Sequence, residues 1–296
     1  MTTPSLAPIP SPLAVPPRVG LIASLSGDFL PVDEAVVVDG HVSRWATGYS
    51  YNPEQQCNQG GVSDPCGTTS KTIPSNPSNV QVQPFQVWTG DKCTTFGWSA
   101  RDFKGRATRA LLACESKQIA AEFWKGTLAS AQGWPNRYLA SPLSDTLSSP
   151  GTPLSVNNAL ACLEQGLADC GCGARGMIHC TRELATAWNL GGALRKENGL
   201  ILTINDTIVV PDAGYDGSGP YGQPALAGSQ WAYATSMITV RRSQIVVFPD
   251  TLGEATVRGT NDIEWRAERM AGVDFSTCCH LAIEVDLPKC LVGGAS

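Results

Sequence analysis

Eleven cysteines and three histidines are the residues of this 296-residue chain best suited to thiol or metal chemistry. They crowd in two places. Cys170, Cys172, His179 and Cys180 fall in one short stretch, and Cys278, Cys279 and His280 in another. Zinc prefers thiolate and imidazole, but structural zinc sites separate paired ligands by about two to four residues. Cys170 and Cys172 leave one residue between them, and Cys278 and Cys279 leave none. The spacing favours packing as small apolar side chains, with disulfides formed after release from the cell and a metal site as the alternatives. Among local disulfides, the Cys57 to Cys66 loop has the easiest spacing.

Other constellations carry less chemistry. Gly171-Cys-Gly-Ala-Arg-Gly176 has the glycine spacing of a dinucleotide fingerprint but lies in a helix-to-strand turn, the reverse of the context that cradles a pyrophosphate. No glycine cluster is followed by the Lys and Ser/Thr pair of a phosphate loop. Asp216-Gly-Ser218-Gly lacks the glycine two residues before the serine that a nucleophile elbow needs, and His41, His179 and His280 leave few places for a general base. Glu264 and Glu268, alternating with Arg266 and Arg269, read as a solvated or subunit-facing strand surface rather than an acid/base pair. The sequence thus assigns no catalytic residue, no cofactor-binding residue and no metal ligand. It reads as a non-enzyme that needs no cofactor.

Composition narrows the class further. Charged residues make up 16%, against about a quarter in ordinary soluble domains, which suits burial against partners. Thirty glycines and 21 prolines call for many turns and extended segments. A net charge of −5 argues against holding nucleic acid by phosphate neutralisation and leaves only non-specific contact. No apolar run is long enough to span a bilayer, and residues 1–17 lack the pattern of a signal peptide, so synthesis in a cytoplasm and no membrane partner are expected.

These residues must be positioned by a mixed set of elements. Residues 1–17, with their prolines, read as an arm, followed by a strand pair around Val36-Val37-Val38 and the Asp39-Gly40 turn. Residues 47–80 have no period and read as a long loop ordered by a partner, and Val80 to Phe96 is extended. One dominant helix is predicted from Arg106 to Leu128, with Gly126 as a stop. After a Ser/Pro-rich link at 141–153 come a helix from Ser155 to about Ala168, a short strand at Met177-Ile178 and a helix from Thr181 to Leu190. Strands follow at Leu200 to Ile204, Thr207 to Val210, Trp231 to Val240, Ile245 to Phe248, Ile263 to Met270 and Cys279 to Val285. Asp212 to Gly228 is expected to project as a loop.

The stretch Asn261-Asp-Ile-Glu-Trp-Arg-Ala-Glu-Arg-Met-Ala-Gly-Val-Asp-Phe275 resembles the strand by which tailed-bacteriophage major capsid proteins of the Hong Kong 97 type re-enter their peripheral domain. Gly176 to Trp188, Leu200 to Tyr215 and Trp231-Ala-Tyr-Ala-Thr235 are similar to structural proteins of actinobacterial phages. The resemblance covers about residues 80–290 loosely. It implies an α+β fold with an N-terminal arm and first strands (1–46), an extended loop (47–98), a peripheral domain with a spine helix (99–150 and 255–296) and an axial domain (151–254). It also implies self-assembly into pentamers and hexamers, an icosahedral shell around double-stranded DNA, a place in the virion, and scaffold, portal or decoration proteins as partners. Encapsulin compartments share this fold, and other virion parts such as tail or decoration proteins are the further alternative. No Lys and Asn pair matches the isopeptide crosslink of some relatives, and no charged scaffolding helix stands at the N-terminus.

Overall fold

The computed structural model describes residues 15–25, 36–38, 41–44, 49–51, 80–94, 102–149, 151–171, 175–249, 251, 255–257, 259, 262–275 and 278–287. Residues 1–14 of the arm predicted over 1–17, most of the 47–80 segment, Cys57, Cys66 and Cys172 lie outside these residues. Short strands β1 (Val36–Val38) and β2 (His41–Arg44) form the expected antiparallel pair, and β3 (Tyr49–Tyr51) pairs antiparallel with β4 (Val80–Val82).

Strand β5 (Phe85–Thr94) leads to helix α1 (Phe103–Lys125), whose N-cap Asp102 accepts from the Gly105 N–H at 2.8 Å. Gly126 ends α1 in the left-handed region at φ 58°, where a Cβ would meet the Tyr138 ring at 2.2 Å. The chain turns there instead of continuing to Leu128, and a short α2 (Thr127–Gln132) follows. Next come β6 (Asp145–Thr146), β7 (Leu154–Ser155), α3 (Val156–Gly171), β8 (Gly176–Cys180) and α4 (Arg182–Leu190), capped by the Thr181 hydroxyl. The remaining strands are β9 (Leu194–Glu197), β10 (Leu200–Thr203), β11 (Ile208–Pro211), β12 (Ser229–Ser236), β13 (Ile238–Arg242), β14 (Val246–Phe248), β15 (Thr256–Val257), β16 (Asp262–Phe275) and β17 (His280–Asp286).

Two sheets carry the fold. The larger runs β6-β17-β12-β8-β11-β10-β9, with β7 also on β17. The smaller is built on β16, whose residues 262–271 pair with β5 while β13, β14 and β15 pair with successive stretches of it. The single strand expected from Trp231 to Val240 is two strands broken at Met237: β12 belongs to the large sheet and β13 to the small one. Of residues 255–296, β15 and β16 lie in the small sheet, whereas β17 lies in the large one.

Helix α1 packs across both sheets. Its buried row Ala107, Leu111, Ile119, Phe123 and Trp124 shares one core with Val87, Trp265 and Phe275 of the small sheet and Met177, Val210 and Tyr233 of the large one. A second core lies on the opposite face of the large sheet, where Leu163 and Leu167 of α3 and Leu184 and Trp188 of α4 cover Ile178, Val209, Ala234 and Ile283. Alternation along the strands sends neighbouring residues to the two cores.

Candidate functional site: the polar centre under the long helix and the surfaces around it

Residues four apart share a helix face, so Ala107, Leu111, Glu115, Ile119 and Phe123 form one buried row, and Glu115 is its charged member. Glu115 is 3% exposed and lies 2.5 Å from Arg242 Nη1 of β13 and 3.2 Å from Arg269 Nη1 of β16. Burial raises the Glu115 carboxyl above the usual carboxylate range, and Arg269 and Arg242 offset part of that rise. The ion cluster ties the helix to two strands of the small sheet.

The neighbouring Ser116 reaches the other way. Its hydroxyl donates to Asp212 Oδ2 at 2.8 Å, and the Leu21 N–H donates to the same oxygen at 2.8 Å, while Oδ1 takes the Gly214 N–H. Asp212 thus joins an N-terminal segment, the long helix and the loop after β11. That loop was expected to project, but its first half, Asp212 to Gly219, is mostly buried against α1. Trp124 Nε1 donates to the Ser218 hydroxyl at 3.0 Å and Tyr233 O–H donates to the Ser218 carbonyl at 3.1 Å. The Ser218 hydroxyl donates in turn to Asp216 Oδ1, which leaves this serine engaged as a packing and hydrogen-bonding residue.

The cysteine and histidine stretches do come together in space, with a geometry the spacing did not reveal. Cys170, in the last turn of α3, is disulfide-bonded to Cys279 just before β17, with a Cα–Cα distance of 5.5 Å. Cys278 is also disulfide-bonded. His179 is fully buried: Nε2 lies 3.0 Å from the Thr235 hydroxyl, which donates onward to the Ser236 carbonyl, and Nδ1 lies 3.1 Å from the Tyr215 hydroxyl. Thr235 therefore accepts from Nε2–H, and Tyr215 donates to Nδ1. Burial, with His280 as a second cause, pushes the His179 pKa down to about 3. His280 Nε2 lies 2.9 Å from the Leu139 carbonyl, and burial likewise lowers its pKa. Among the described residues no group of three or more His, Cys, Asp and Glu is placed to hold a metal.

The alternating charges of β16 are only partly solvated. Glu264 is exposed, but Glu268 is 1% exposed and is held by Gln86 and Arg266, and Arg269 turns in to Glu115. The expected solvated face is corrected for these two residues: Arg269 faces α1 and pairs with Glu115, while Glu268, on the opposite face of the strand, is buried and held by Gln86 and Arg266. Outside the cores, large apolar side chains stay exposed at Trp88 of β5, Leu190 at the end of α4, Ile204 after β10 and Leu128 of α2. Trp88 and Leu128 flank a groove of about 530 Å³ between β5 and α1, in which Gln118 donates to the Trp88 carbonyl at 3.0 Å. A wider groove of about 1110 Å³ runs between α3 and the β10–β11 turn.

No protein-family model matches this chain, and no curated protein matches it in sequence. Solved structures do match along its whole length. The capsid of Ralstonia phage GP4 aligns with 99% of this chain and 97% of its own at a TM-score of 0.56 and 9% identity. The capsid of an empty GTA particle aligns with 97% and 96% at 0.53 and 11% identity, and the native GTA capsid with 98% and 96% at 0.53 and 11%. The chain has the α+β capsid fold of the Hong Kong 97 type.

Proposed function

We propose that this chain is a shell subunit, the major capsid protein of a tailed bacteriophage, which assembles into pentamers and hexamers around double-stranded DNA. The observation that carries the reading is the fold match over nearly all of both chains to capsids of assembled particles. The surface fits it: side chains such as Trp88, Leu190 and Ile204 are apolar and exposed on a chain with few charges, as subunit contacts require. On this reading residues 1–46 are an arm with the first strands, the chain from 47 up to β5 is an extended loop reaching a neighbour, α1 with the small sheet, β5 included, is the peripheral part, and the large sheet with α3 and α4 the axial part. The chain performs no catalysis; its partners are copies of itself, then scaffold, portal or decoration proteins, with non-specific DNA contact. Its acidic balance limits sticking of the shell to packaged DNA.

Negative-stain electron microscopy of the purified chain at rising concentration tests this. Closed shells or capsomer rings are expected. A strict monomer under all conditions would overturn the reading, and shells filled with a co-purifying protein would redirect it to a compartment.

A further inference from the structure

We propose that Cys170 and Cys279 form a redox-operated lock that fixes β17 in the large sheet, stiffening the subunit in a disulfide-rich medium and loosening it in a thiol-rich one. The lock is a property of the folded chain and does not depend on the shell reading.

Placement is the argument. Cys170 lies in the last turn of the helix that covers the large sheet, and Cys279 immediately precedes the strand that this helix covers. The strand is internal, held by β12 along seven registered pairs on one side and by β6 and β7 on the other. Its sequence partners are distant, so holding it in place by packing alone means closing a long loop, and the bond closes that loop across 109 positions. Cys278 is bonded as well, so the chain is anchored at two consecutive residues just before β17.

Access is asymmetric. Cys279 is 2% exposed, whereas Cys170 is half-buried and is the thiol that a small disulfide reaches first. With glutathione disulfide as oxidant, the Cys170 thiolate attacks one glutathione sulfur, forming a mixed disulfide and releasing one glutathione thiol. The Cys279 thiolate then attacks the Cys170 sulfur and releases the second glutathione thiol, so two cysteine thiols are oxidised and one glutathione disulfide is reduced. The nearby thiols do not compete on equal terms. Cys180 is wholly buried and its pKa is pushed up by burial, while exposed Cys114 and half-buried Cys162 react with glutathione disulfide only as far as a mixed disulfide, since neither is bonded to a second cysteine.

The test uses the full chain equilibrated with glutathione disulfide or with a reducing phosphine. Non-reducing peptide mapping is expected to recover Cys170 joined to Cys279 in the first sample and both alkylated in the second, with Cys114 joined to no other cysteine of the chain in either. Reduction is expected to lower Tm by roughly 10 °C, and the drop persists in Cys278→Ser, where the second bridge is absent. Hydrogen exchange is expected to speed up in α3 and β17 more than in β5 and β16. Alkylation of Cys170 and Cys279 in the oxidised folded chain, an unchanged Tm, or a uniform change in exchange overturns the proposal.

Discussion

The Leu21 N–H donates to Asp212 Oδ2 at 2.8 Å across 191 positions of sequence, and the Ser116 hydroxyl of α1 donates to the same oxygen. Leu21 is wholly buried and Asp212 is 2% exposed, so a carboxylate shielded from water is satisfied by an N-terminal backbone group, a helix hydroxyl and the Gly214 N–H together.

Asp212→Ala leaves those donors without their acceptor and is expected to cost about 2–4 kcal/mol. Urea unfolding of the dissociated subunit measures it. Limited proteolysis should also show residues 18–25 cut faster, and an uncut segment would mean that Leu21 packing alone holds it.

Gly214 approaches α1 so closely that a Cβ would meet the Lys117 carbonyl at 2.3 Å and the Ala121 nitrogen at 2.6 Å. Both are backbone atoms of a packed helix and have little room to yield. Gly214→Ala is therefore expected to lift the loop and lower stability by about 1–3 kcal/mol, the range for overpacking. Tryptophan fluorescence should report it, because Tyr215 packs on Trp124 at a ring separation of 4.8 Å.

Removing Glu115 takes from Arg242 and Arg269 the carboxylate they share. Glu115→Ala is expected to destabilise by about 3–5 kcal/mol, whereas the triple change Glu115→Leu, Arg242→Met, Arg269→Met should recover most of the loss because none of the three charges of this cluster is left buried without its partner. Denaturant midpoints of the two variants decide it. Equal losses would show that the cluster matters by shape rather than by charge.

His179 sets an acid limit. Its folded pKa of about 3 lies below the ordinary 6.5, so the unfolded chain binds the proton more readily. The stability from the neutral ring is fully present above about pH 6.5 and is lost as pH falls toward 3, on the order of 5 kcal/mol in total. His280 is shifted in the same direction and adds to the slope. Tyr215 and Thr235 face the ring nitrogens, and no carboxylate bonds to either one. His179→Gln should flatten unfolding free energy plotted against pH between 4 and about 6.5. An unchanged slope would assign the acid sensitivity to other groups.

Trp88→Ser and Ile204→Ser sit at exposed positions and should leave the unfolding free energy within about 0.5 kcal/mol of the parent. On the shell reading, at least one of them raises the concentration at which particles appear in light scattering. Assembly indistinguishable from the parent in both would remove these side chains from the contact surface.

Much of this was legible because local chemistry decided it. The period of Leu112, Ile119 and Phe123, broadened by Leu111, Ala120 and Trp124, and the stop at Gly126 defined the long helix, although Leu111 rather than Leu112 is the buried one, and Thr181 marked the start of α4. Glu115, four residues from Leu111 and from Ile119, was a readable sign of a buried ion partner that went unused. The break at Met237 was not legible, since Trp231 to Val240 has one continuous strand composition and only the separation of two sheets divides it. Nor could spacing pair Cys170 with Cys279, because packing of α3 on β17 sets that distance. The charges of β16 misled for the same reason: alternation does not say which face another element will cover.

The place of β17 inside the large sheet also governs timing. Its partners β6, β7 and β12 are made earlier in the chain, so these pairings wait for residues 280–286 to be synthesised. A sheet closed by its most distant strand has high contact order, and such topologies sit at the slow end of folding rates. A nascent chain therefore carries an open edge on β12 from residue 236 until β17 has been made.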